Sequence, residues 1–145
     1  MTVALLGKGV ADEISKRIPG SVVSSDDNNV VVSGDMLFAV AEFLKTSEFA
    51  MDYLANLTSV DYLDYFEIVY HLVSLKRNHR ITLKTRLYDR EKPAVASVVP
   101  LWRGADLQER EVYDLMGIAF EGHPNLKRIL LWDGYPGHPL RRDYL

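Results

Sequence analysis

The sequence predicts an α/β domain of the α+β type: a mostly antiparallel sheet of three or four strands packed against helices, with an irregular C-terminal arm. Three observations carry this. Residues 80–87 alternate, with Arg80, Thr82, Lys84 and Arg86 on one side and Ile81, Leu83, Thr85 and Leu87 on the other, as in a strand with one covered and one wet face. Residues 65–75, YFEIVYHLVSL, are aromatic and β-branched over the length of one strand. Residues 117–145 hold four of the nine glycines and three of the six prolines, yet also Phe120, Leu126, Ile129, Leu130, Leu131, Trp132, Tyr135, Leu140 and Tyr144. Such a segment is too apolar for a free tail and too rich in Gly and Pro for a regular element.

The elements follow in order. Val10, Ile14 and Ile18 recur every four residues, which predicts a helix over about 8–18, ended by Pro19 and Gly20. Val22-Val23 and Val30-Val31-Val32 flank a turn-forming SSDDNN and read as short strands. Asp35 is placed to cap a second helix whose stripe is Met36, Leu37, Val40, Phe43 and Leu44. Residues 52–62, 65–75 and 80–88 form a three-strand meander with turns near Leu63-Asp64 and at KRNH, residues 76–79, covered by the two early helices. The stretch AVASVVPLW after Pro93 reads as a short helix. A better-defined helix occupies residues 107–116, with Asp106 as N-cap, Glu109 at capping-box spacing, Gly117 at the left-handed C-terminal position and Arg110–Asp114 as an i,i+4 pair. The 145 residues thus divide into an α/β domain, 1–116, and an arm, 117–145.

Composition narrows the chemistry. With 20 acidic and 17 basic residues the net charge is -3, which argues against nucleic-acid binding by bulk charge. The chain has no cysteine, so disulfides, thiolate nucleophiles, zinc–thiolate sites and cysteine-ligated clusters are excluded. The apolar run Val3–Leu6 is too short for a signal-peptide core, and no stretch reaches the ~20 residues of a membrane span. Membrane contact is therefore expected only through a partner or a surface face. GKG at 7–9 and GYPG at 134–137 match no phosphate-binding fingerprint, and no GxSxG elbow occurs. His123, His138 and Asp133 are the candidate metal ligands, but their spacing fits no compact motif, and both His-Pro pairs read better as turn residues whose rings pack and hydrogen-bond. No catalytic, cofactor or metal residue is assigned.

Partner binding is the better-supported role. On the helix, Gln108 and Glu111 fall within the arc of Leu107, Val112, Leu115 and Met116. They either pair with an arginine of this chain or face a partner subunit; a paired-acid hydrolase site is the third reading, disfavoured because Glu109 and Glu111, two apart on a helix, diverge and make no convergent pair. In the arm, Arg128, Arg141 and Arg142 suit pairing with partner carboxylates, and Trp132 and Tyr135 suit apolar recesses.

Residues 106–145 then carry a resemblance. Glu109, Arg110, Glu111, Tyr113, Asp114, Gly117, Ile118 and Phe120, followed by Gly122, His123, Pro124, Leu126, Arg128 and Ile129 and by Pro139, Leu140, Arg141 and Asp143, resemble the hallmark region of the 30-kilodalton subunit family of respiratory complex I, the C subunit of the bacterial NADH-quinone oxidoreductases. Arg142 stands where lysine is common, and Tyr144 keeps an aromatic. The resemblance implies a noncatalytic structural and assembly subunit of the peripheral arm of a proton-pumping NADH:quinone oxidoreductase, on the cytoplasmic side of the cell membrane. It implies contact with the large quinone-site subunit and with the adjacent terminal-cluster subunit. It implies no cofactor in this chain; iron–sulfur clusters belong to partner subunits, with FMN only where an NADH-input module is present. The sequence ends just after its RRDY element, where many relatives continue; the expectation is either one weaker subunit contact or a complex with a smaller arm. The alternatives are the equivalent accessory subunit of a membrane-bound hydrogenase or other complex-I-like assembly, and a free-standing soluble enzyme.

Overall fold

The structure, a computed structural model, describes residues 2–132 and 134–143. Its elements are β1 (Val3–Ala4), α1 (Gly7–Arg17), β2 (Val22–Asp26), β3 (Asn29–Val32), α2 (Leu37–Thr46), β4 (Tyr53–Asp61), β5 (Phe66–Ser74), β6 (His79–Leu87), β7 (Ala94–Ala96), α3 (Ala105–Met116) and β8 (Ala119–Glu121). Strands β4, β5 and β6 form the expected antiparallel meander, with Tyr70 opposite both Leu57 and Leu83. The main sheet runs β2-β3-β6-β5-β4, and β1 also pairs with β6. Both β3 and β1 join β6 in parallel, so the sheet is mixed.

Alternation along β6 sorts as the sequence predicts: Ile81, Leu83, Thr85 and Leu87 are buried, and Arg80, Thr82, Lys84 and Arg86 are not. The inward side chains Phe66, Ile68, Tyr70 and Leu72 of β5 meet Val10 and Ile14 of α1 and Leu37, Val40 and Leu44 of α2 in one core. Trp102, Ala105, Val112 and Met116 join it from the α3 side. Trp102 is fixed there by its indole N–H, which donates to the Met51 carbonyl at 3.0 Å. Gly7 of the GKG motif has a packing role, since a Cβ there would run into the carbonyls of Asp26 and Asn29.

Three local expectations are corrected. Residues 94–102 are not a helix: β7 pairs in parallel with β8, Val95 opposite Phe120, across the α3 crossover. Burial of Val95, Val98 and Phe120 through this long-range pairing outweighs the helical appearance of the isolated stretch. Asp35 does not cap α2; a 3-10 turn over Gly34–Met36 feeds it, with Met36 N–H bonding to the Ser33 carbonyl. Nor does Asp106 cap α3, which begins one residue earlier. Gly104 holds the cap position, and the N–H groups of Ala105 and Asp106 are met by the carbonyls of Trp102 and Arg103. That backbone turn leaves the Asp106 and Glu109 carboxylates to other partners. Gly117 does end α3 in the left-handed region, φ 75°.

Candidate docking surface

Helix α3 is pinned to the domain on one side and holds the arm on another. Glu109 is fully buried. Its Oε1 accepts the Ser97 hydroxyl at 2.6 Å and its Oε2 the Val98 N–H at 2.8 Å, both from the loop after β7. Burial pushes this carboxyl above its ordinary range, and the two donors only partly offset that.

Asp106, Arg110 and Asp114, four residues apart, form a stripe that receives the arm. His123 Nε2 donates to the Asp106 carbonyl at 3.1 Å, and its Nδ1 accepts the Asn125 N–H at 2.9 Å. Arg110 does not pair with Asp114 as its spacing suggests. Its guanidinium reaches the carbonyls of Lys127 and Arg128, at 3.2 and 3.4 Å. Asp114 is buried, and its Oδ2 accepts three successive N–H groups, Ile129, Leu130 and Leu131, at 3.2, 2.8 and 2.9 Å. Arg128 donates to its Oδ1 at 3.1 Å. Burial alone would raise this carboxyl; the Leu131, Leu130 and Ile129 N–H groups and the Arg128 charge bring it below its ordinary range. The local sequence competition explains the rearrangement: an exposed i,i+4 pair is worth a few tenths of a kcal/mol, whereas an irregular arm has many unpaired backbone groups to satisfy.

The arm then returns over the C-terminus of α3. A helix leaves its last carbonyls without helical partners. Here His138 Nδ1 donates to the Asp114 carbonyl at 3.0 Å, Leu140 N–H to that of Leu115 at 3.0 Å, and Arg141 Nε to that of Met116 at 2.6 Å. The cationic Arg141 also complements the negative end of the helix dipole. Gly117 makes the close approach feasible: a Cβ would lie 2.7–2.9 Å from the His138 ring and the Arg141 guanidinium.

A second buried carboxylate fastens the end of the arm. Arg90 grips Asp61 with two hydrogen bonds, 2.7 and 3.0 Å, and reaches Asp143 at 3.1 Å. Asp61 also accepts the N–H groups of Leu63 and Arg142. The Arg90 hydrogen bonds, assisted by those N–H groups, outweigh burial and hold Asp61 well below the usual carboxylate range. Arg90 and Arg141 both lie against the Phe66 ring, 4.5 and 5.0 Å from its centroid.

The residues singled out from sequence are thereby placed. Gln108 is half-buried and bonded within the chain, accepting the Leu57 N–H at 2.6 Å and donating to the Gly104 carbonyl at 3.0 Å. Glu111, expected in the apolar arc, is exposed, as is Leu107; the buried arc is Ala105, Glu109, Val112 and Met116 instead. Arg128 also donates to the Gly137 carbonyl at 2.9 Å and lies over the Tyr135 ring. Arg141 is held as described, while the Arg142 side chain is exposed. Trp132 is 66% exposed, edge-on to Tyr135 at 5.5 Å. Of the metal candidates, His123 and His138 each serve a separate carbonyl of α3, and Asp133 lies outside the described residues, as does Tyr144. Among the described residues no group of three or more metal-ligating side chains converges. The first residues of the arm, Ile118 and Phe120, belong to the core. Sequence reasoning missed Glu109, Asp114, Asp61 and Arg90 as fasteners; the 106/110/114 spacing was the one available signal.

What faces outward is a set of large apolar side chains on the fastened arm, Ile129, Leu130, Trp132 and Leu140, with Leu107 exposed on α3. The fold and this surface define an α+β scaffold that presents an ordered arm. The model of the family described as "Respiratory-chain NADH dehydrogenase, 30 Kd subunit" matches residues 30–145, and the chain belongs to that family. It is 40% identical over 149 residues to the C subunit of the NADH-quinone oxidoreductase of Roseiflexus sp. (strain RS-1), covering 97% of this chain and 85% of that one. To the same subunit of Moorella thermoacetica it is 47% identical over 117 residues, 79% and 78% of the two chains. Among solved structures, a chain of the membrane-bound sulfane sulfur reductase, an archaeal respiratory membrane complex, superposes with a TM-score of 0.76 at 23% identity, covering 94% of this chain and 84% of that one. That likeness is one of fold. No helix among the described residues is long and apolar enough to cross a membrane.

Proposed function

We propose that this chain is a noncatalytic structural subunit of the peripheral arm of a proton-pumping NADH:quinone oxidoreductase, bracing the large quinone-site subunit beside the subunit that holds the terminal cluster. Family membership supports the setting. The observation that carries the docking role is the exposed row Ile129, Leu130, Trp132 and Leu140 on an arm that three buried or half-buried side chains, Asp114, Arg110 and Asp61, hold in place. A preformed apolar surface loses little entropy on binding, which favours a stable contact between subunits.

In this reading Trp132 enters a partner recess, with Tyr135 edge-on behind it, and the exposed Glu111 and Arg142 meet polar groups at the rim. Gln108, Arg128 and Arg141 contribute by shaping the surface. The chain itself carries no cofactor; clusters, and flavin where present, sit on partners. It lies on the cytoplasmic side of the membrane and reaches the bilayer only through the complex. The test is affinity isolation of the tagged full-length chain from membranes, with identification of the retained subunits and assay of NADH:quinone reductase activity. Retention of a quinone-site subunit with that activity supports the reading. Retention of a nickel-ligating large subunit points to the hydrogenase-type assembly, and recovery of the chain alone, fully soluble, contradicts both.

A further inference from the structure

The short parallel pair β7–β8 leaves one of its edges open. In this ladder the Ala119 N–H donates to the Pro93 carbonyl at 2.9 Å and the Ser97 N–H to the Glu121 carbonyl at 2.8 Å, so Pro93, Val95 and Ser97 face β8. Ala94 and Ala96, between them, turn their N–H and C=O groups the other way, and no hydrogen bond among the described residues takes those groups. The other edges are blunted. Strand β4 carries a bulge at Leu54–Asn56 and is covered by α3, whose Gln108 takes the Leu57 N–H. Strand β2 carries a bulge at Val22–Ser24 and ends on Asp26, and the Phe120 carbonyl of β8 accepts the His123 N–H. Strand β7 has neither a bulge nor a charge. A groove of about 570 Å³ lies along it, lined by Ala94–Ala96 and by Val23, Val31 and Val32 of β2 and β3. Val23 is 61% exposed.

Unpaired main-chain donors and acceptors at strand spacing are a template for another strand. Their chemistry specifies the occupant as an extended backbone, which fills N–H and C=O groups alike. A sheet of two three-residue strands is also at the lower limit of size, and an added strand extends it. We infer that the open edge of β7 is a strand-addition site, on which an extended segment of an adjacent subunit pairs with the main chain of Ala94 and Ala96 and lays an apolar side chain on Val23. The rim charges are mixed, Lys92 against Asp35 and Glu121, so the main chain and not net charge selects the occupant. A partner that covers the arm is within reach. Arg141 of the arm donates to the Arg90 carbonyl at 3.3 Å, and Arg90 precedes Pro93 by three residues, at most about 11 Å of extended chain. The inference rests on the subunit reading above and adds a second contact to the same complex.

Hydrogen exchange read at single residues compares the full-length chain purified alone with the same chain in the complex isolated from membranes through it. The amides of Ala94 and Ala96 should exchange freely in the lone chain and roughly tenfold or more slower in the complex, because a hydrogen-bonded amide must open before it exchanges. Two variants separate main-chain pairing from mere coverage. Ala96→Pro removes an N–H that nothing in this chain uses, at an edge position where proline is tolerated, and Ala96→Val keeps it. Ala96→Pro should lower recovery of the partner subunits about tenfold, the loss of roughly one well-made hydrogen bond, while Ala96→Val recovers them normally. Equal exchange of Ala94 and Ala96 in the lone chain and in the complex overturns the inference and leaves the subunit reading intact, since the complex was recovered. Normal recovery with Ala96→Pro, or equal losses with both variants, overturns the main-chain pairing. If Ala96→Pro lowers the unfolding midpoint of the lone chain, the exchange comparison, which needs no variant, decides. Protection that appears in the lone chain as its concentration rises makes the occupant a second copy and overturns the inference. Recovery of no complex at all removes the subunit reading and this inference together.

Discussion

Asp114 shows how much one carboxylate can organise. It sits at the end of α3, yet its oxygens are filled by backbone and side chain of residues 128–131. Asp114→Ala leaves those N–H groups and Arg128 without their acceptor in a poorly solvated place, a loss of about 3–5 kcal/mol by the usual cost of breaking a buried pair. Urea unfolding should register it, together with faster hydrogen exchange at Leu130 and Leu131. The pH dependence has a definite sign. Asp114 and Asp61 are both held below the ordinary carboxylate range, so the stability they contribute is complete above about pH 4 and is lost as the pH falls further. Glu109 has the opposite sign: its carboxyl is raised, so stability declines as the pH rises from about 4.3 through its folded value. Glu109→Gln should therefore flatten the decline above that pH, while Asp114→Asn should flatten the loss below pH ~4. A variant series in which Glu109→Gln steepens the neutral-side decline would refute the assignment.

Among the elements, α3 and the turn after it are the hinge of the design. Gly117→Ala meets both a positive φ and a closed space, against His138 and Arg141, so it should destabilise by more than about 1 kcal/mol and loosen the arm. Gly9→Ala is the control: it lies in α1 with nothing within 4 Å of the new methyl and should stabilise by up to about 1 kcal/mol. Equal melting temperatures for the two would contradict the reading. The sequence made Gly117, the β6 alternation and the meander legible because each follows from local stereochemistry or a regular period. It hid the β7–β8 pair, since three-residue strands have no period and their partners lie 25 residues apart. It also hid the true roles of Arg110 and Asp114. Their i,i+4 spacing favours mutual pairing on a bare helix, and only the folded arm supplies the competing carbonyls and N–H groups.

On the scale of the whole molecule, the arm is continuous with the domain through Ile118 and Phe120 in the core, and through Asp61, Arg90 and the last carbonyls of α3. Its apolar exposure is correspondingly organised: side chains facing the domain are bonded or buried, while Leu130 and Trp132 stand 62% and 66% exposed. Residues that carry no weight in the isolated fold but remain large and apolar are candidates for interface anchors. The most direct measurement compares the wild-type chain with Leu130→Asp/Trp132→Ala, both full length, in cells that make the complex. Because both side chains are exposed, the purified variant should keep the wild-type circular dichroism and unfolding midpoint, while the partner subunits no longer co-purify with it and membrane quinone reductase activity falls. Full assembly and activity with that variant would contradict the claim that the arm is folded against its own domain in order to hold a partner.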